Sequence, residues 1–123
     1  MKVTLHSSKM DRFKIWMEQV RDRGLHEKVY ILGGVTPMKS IGMANYMKNM
    51  VPGMDVPDEL IARIKGVDKD KRADEGIKIA VETINELKTI EGVRGVHIMA
   101  IEWEEMVPRF AEEAFLLPRP QAV

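Results

Sequence analysis

Apolar positions recur along this chain in two rhythms. From Met10, residues Phe13, Trp16, Met17 and Val20 stand three or four apart with charges between them, which is one face of a helix. Gly24 follows as the expected C-cap. The rhythm then changes. Val29-Tyr30-Ile31-Leu32 is a short β-branched and aromatic run that predicts a buried strand. Gly33-Gly34 is expected to turn the chain there, and Val35 to Lys39 to form a loop. Ser40 is placed to N-cap a helix bearing Met43, Met47, Met50 and Met54 on one face, with Tyr46 beside them.

Pro52-Gly53 breaks that helix, and Pro57 opens a short one whose apolar side is Leu60, Ile61 and Ile64. After Gly66 and a charged connector, Asp68 to Lys71, a long helix is predicted from about Arg72 to Glu91. Its stripe is Ile77, Ala80, Val81, Ile84 and Leu87. Gly92 and Gly95 bracket a turn into Val96–Ile101, a second strand apolar enough to be covered on both faces. Glu102 to Glu105 lead into a final helix carrying Val107, Phe110, Ala111 and Ala114, with Pro108 in its first turn. Ahead of all this, Val3-Thr4-Leu5 is a weak strand with no evident partner.

The two strands are expected to pair in parallel across the three intervening helices. So few parallel strands cannot close or cover themselves, and the edge before Val29 is expected to lie open. The chain therefore reads as α/β, part of a larger sheet or barrel.

Composition narrows the chemistry. At 123 residues the chain is one domain, and its nineteen basic and nineteen acidic residues cancel, so charge gives no support for nucleic acid or an anionic membrane. The absence of cysteine excludes disulfides, thiolate metal sites and cysteine nucleophiles, and His6, His26 and His97 lack ligand spacing. No apolar run approaches the roughly 20 residues of a membrane span, and the N-terminus lacks a signal-peptide core, so a cytoplasmic protein is expected.

Ligands of parallel α/β folds bind at the carboxyl ends of strands, which puts the candidate rim at Thr36 and Glu102. Each candidate there has a plainer reading beside it. Gly33-Gly34 lacks a phosphate-loop context, Lys39 reads first as a solvated loop lysine, and His97 reads first as a core histidine. The methionine stripe reads as core filling. Glu102 is a functional carboxylate or an acidic residue favoured at a helix start, and Trp103 either packs on the next helix or stacks on a flat ligand.

GGVTPMKS, MDVPDELIARIKGV, DEGIKIAVETINELK and GVRGVHIMAIEWEEMVPRFAEEAFLLPRP fall in an order and spacing that resembles the carboxyl-terminal part of methylenetetrahydrofolate reductase, from about Met10 to Pro120. The resemblance implies a partial parallel (βα) barrel, the last two to three βα units of a TIM-type (βα)8 barrel. A divergent stretch at residues 1–9 would precede a barrel portion at residues 10–123. It implies an FAD-dependent oxidoreductase that reduces methylenetetrahydrofolate to methyltetrahydrofolate in one-carbon metabolism and methionine biosynthesis. It assigns no catalytic, FAD-binding or metal-binding residue to this chain, since the family's lie in earlier units. Folate or a related pterin is the implied substrate, contacted by Thr36, Ile41, Ile101, Glu102 and Trp103. Ile41 and Trp103 depart from the family's aromatic and arginine there, and Leu5 stands where the family has a pterin-binding glutamine. The expected partner is the missing amino-terminal barrel half or a second copy of the chain. The alternative is a non-catalytic remnant acting as a structural or interaction module. The electron donor and the exact pterin carrier stay open.

Overall fold

The computed structural model describes residues 2–6, 10–52 and 56–116. Met54 and the tail from Leu117 lie outside them. Three strands, β1 (Lys2–His6), β2 (Tyr30–Val35) and β3 (Val93–Ile98), form one sheet in the order β1-β2-β3, and both pairings are parallel. The helices are α1 (Met10–Asp22), α2 (Ile41–Met50), α3 (Asp58–Lys65), α4 (Arg72–Lys88) and α5 (Val107–Glu113). Single 3-10 turns fall at Leu25–Glu27, Lys69–Lys71 and Glu104–Met106.

The expected pairing of β2 with β3 is present, with α2, α3 and α4 between them in the chain. The weak leading run is a true strand, pairing Val3 with Ile31 and Leu5 with Gly33. That corrects the expectation of an open edge before Val29. β2 is the central strand, and among the described residues the sheet's free edges belong to β1 and β3.

Two further corrections concern glycine. Gly33 and Gly34 lie inside β2 and are buried, so they do not end it. A β-carbon on Gly33 would sit 2.6 Å from Leu87 Cδ1, so the absent side chain is what lets α4 lie close on the strand. β3 begins three residues earlier than the pattern suggests. The turn out of α4 runs from Thr89 to Gly92, with Gly92 at φ +94°, and Gly95 is already in the strand, opposite Leu32. Between Ile31↔Val93 and Leu32↔Gly95, Arg94 is an extra residue, and its guanidinium lies 5.0 Å over the Tyr30 ring. β3 is also not covered on both faces: Arg94 and His97 are exposed and its other residues half-buried, so His97 is not a core histidine.

Sequential parallel strands joined by right-handed crossovers carry their connecting helices on one face. The main core follows that rule. Phe13, Met17 and Val20 of α1, Ile77, Ala80, Ile84 and Leu87 of α4, and Phe110 of α5 close over Ile31 and Val35 of β2. A second core joins α2 and α3 to the loop after β2 through Met38, Ala44, Met47, Val56, Ile61 and Ile64. The methionine stripe is thus divided: Met47 is buried, Met43 half-buried and Met50 67% exposed. Arg63 ties α3 to α4, reaching Glu75 at 2.5 Å and Glu82 at 3.1 Å. No described helix is long and apolar enough to cross a membrane.

Candidate functional site

The carboxyl ends of β2 and β3 are stitched together one step past the regular strands. The Met99 N–H donates to the Val35 carbonyl at 2.8 Å, so the two chains leave the sheet side by side. From β2, Thr36, Pro37 and Met38 dive inward and are buried, while Lys39 is exposed. Ser40 then caps α2 by accepting from the Met43 N–H at 3.1 Å, as its position before the helix predicts. From β3, the chain turns tightly: the Ile101 N–H donates to Met99 O at 3.2 Å and the Trp103 N–H to Ala100 O at 3.4 Å. Glu102, at the apex, has φ +53°, a left-handed conformation unusual for a residue with a side chain.

The two loops meet through a bond that the sequence does not announce. Lys39 Nζ donates to the Glu102 carbonyl at 3.1 Å. A second missed contact lies beneath the first loop, where Gly76 of α4 presses against the Met38 carbonyl so closely that no side chain fits between. An isolated glycine within a strong helical stripe is the signal that was available for it.

The five rim residues differ in exposure. Ile101 (49% exposed) and Glu102 face solvent at the turn after β3, and Ile41 is half-buried at the start of α2, packed on the second core. Thr36 and Trp103 are buried. Trp103 packs edge-on against Phe110, ring centroids 5.7 Å apart at 73°, so of its two readings the helix-packing one describes the structure.

The cavity beside Thr36, bounded by Met38, Leu60, Ile64, Gly76 and Thr83, measures about 40 Å³, room for water-sized molecules only. A wider groove of about 450 Å³ between α4 and α5 is lined by Asp74, Lys78, Val81, Arg109 and Glu113. Its arginine is already engaged, with Asp74 at 3.0 Å and Glu113 at 3.2 Å. Among the described residues no three His, Asp or Glu side chains are grouped to hold a metal.

The described strands form a parallel α/β sheet in sequential order, with two strand-to-helix loops side by side at the carboxyl ends of β2 and β3. Residues 4–114 match the family model for methylenetetrahydrofolate reductase, and the chain belongs to that family. The match takes in most of β1, from Thr4 onward. No curated protein matches the chain significantly. The family is one of oxidoreductases of folate metabolism, generally flavin-dependent.

Proposed function

We propose that this chain forms the substrate-side segment of a flavin-dependent methylenetetrahydrofolate reductase, its three strands being consecutive staves near the end of a (βα)8 barrel. The observation that carries this reading is the strictly sequential parallel order β1-β2-β3 with α1, α4 and α5 sharing one core on one face. An all-parallel sheet needs both faces covered, and here Tyr30 is 51% exposed and His97 exposed. Curling into a barrel with further strands along the free edges would bury what this sheet leaves open. The remaining units, from the same polypeptide or another chain, would supply FAD binding and the catalytic carboxylate.

In this reading Ile41, Ile101 and Glu102 touch the folate, and Thr36 and Trp103 form the wall behind them. What this chain does for the reaction is bind and orient: it presents an apolar edge and one exposed carboxylate at the strands' carboxyl ends. The flavin, when bound by the complete enzyme, supplies the hydride. No catalytic group is assigned to this chain, which by itself neither retains FAD nor reduces methylenetetrahydrofolate. The test is methyltetrahydrofolate formation by the purified chain alone and after co-expression with the amino-terminal units of a family reductase. Product only in the co-expressed sample supports the reading. Product from the chain alone overturns its incompetence, and product in neither favours a non-catalytic structural module.

A further inference from the structure

We infer that Lys39 is a positioning residue of the rim: by donating to the Glu102 carbonyl it holds the turn after β3 in its left-handed form against the loop after β2.

Three observations converge on this bond. It joins residues 63 apart in sequence and is a hydrogen bond between the two rim loops beyond the Met99–Val35 step. Its acceptor belongs to Glu102, whose φ of +53° carries a steric cost that only surrounding contacts sustain. Its donor arises from a loop that cannot retreat, because the adjacent Met38 carbonyl rests on Gly76 and the Met38 side chain is buried in the second core. The lysine therefore reaches from an anchored loop to one held in strain. Ile101 and Glu102, the two exposed rim residues, take their places from that turn. The consequence for folate binding rests on the proposed function; the clamp itself does not.

The experiment is amide hydrogen exchange on the full chain, comparing Lys39→Met, Lys39→Arg and Glu102→Gly. The Met99, Trp103 and Met106 amides donate within or beside the turn, to Val35, Ala100 and Trp103 carbonyls. In Lys39→Met these should exchange roughly three- to tenfold faster, the ordinary net worth of one hydrogen bond at an exposed site. The amides of the last turn of α4, next to Leu87 and away from the turn, should be unchanged. Lys39→Arg keeps a cationic donor on a long stem and should restore most of the protection. In a Glu102→Gly background the left-handed turn needs no holding, so adding Lys39→Met should accelerate exchange less than it does in the natural chain. Unchanged exchange in Lys39→Met, or equal acceleration in that last turn of α4, or no restoration by arginine, would each overturn the inference. Failure of the chain to bind folate would leave these exchange results untouched.

Discussion

A β-carbon built on Gly76 lies 1.8 Å from the carbonyl oxygen of Met38, inside any contact a folded protein sustains. This glycine sits in the second turn of α4, where helix propensity alone would favour alanine. Its reason is tertiary: the loop that shapes the rim lies directly on the helix.

Gly76→Ala should therefore destabilise the chain by about 2–4 kcal/mol, since backbone and not a pliable side chain is in the way. Gly42 in α2 is the internal control. It is exposed, with only Ser40 Oγ near, at 3.9 Å, so Gly42→Ala should stabilise by roughly 0.5–1 kcal/mol. Urea denaturation midpoints of the two variants should move in opposite directions.

Gly33 and Leu87 form a pair whose energetics should not add. The β-carbon of Gly33→Ala would meet Leu87 Cδ1 at 2.6 Å, and Leu87 is fully buried. Gly33→Ala alone should cost about 1–3 kcal/mol and Leu87→Ala about 2–5 kcal/mol. The double variant should be less destabilised than the sum, by roughly 1 kcal/mol or more, because the new methyl occupies space the leucine vacates. A double-mutant cycle in urea measures it.

Trp103 offers a test of packing against ligand stacking. Buried to 7% exposure against Phe110, it should cost about 3–5 kcal/mol on truncation to alanine. A side chain reserved for a ligand would leave thermal stability nearly unchanged. Thermal unfolding of Trp103→Ala without any ligand separates the two.

The acid limb of stability should report the α3–α4 bridge. Hydrogen bonding to Arg63 holds the Glu82 carboxyl below its ordinary value, against a smaller opposing effect of burial. A lowered folded-state value means the stabilisation is present above about pH 4.3, the unfolded glutamate range. It is lost as pH falls through the lowered value. Because Glu82 is half-exposed, the effect is small, under about 1 kcal/mol. Glu82→Gln should accordingly flatten stability between neutral pH and the acid range relative to the natural chain, as followed by urea midpoints at each pH.

The helices and their buried stripes were legible because their apolar spacing and their burial have the same cause. Of the residues whose period marks them, Phe13, Met17, Val20, Ile77, Ala80, Ile84 and Leu87 are buried, and Trp16 and Val81 half-buried. Gly24, Gly66 and Gly92 end or turn their elements as their positions predict, but Gly33, Gly34 and Gly76 were not legible. Gly33-Gly34 resembles a turn to any local reading, and only the helix packed across the strand shows why side chains are absent there. β1 was faint because five residues with no flanking pattern gain their identity from pairing with β2. On the rim, the chain's order put Thr36 and Glu102 after two strands that pair in parallel. The Lys39–Glu102 bond was out of reach, because a long flexible side chain finding a backbone carbonyl leaves no trace in spacing.

If the three strands are staves of a barrel that further units complete, as proposed, flavin retention depends on those units. The visible absorbance of FAD should be recorded on the purified chain alone and on the chain co-purified with the amino-terminal units of a family reductase. The expected result is a colourless chain alone and a yellow complex holding about one flavin per assembled barrel. A yellow preparation of the chain alone, with flavin surviving gel filtration, would contradict it.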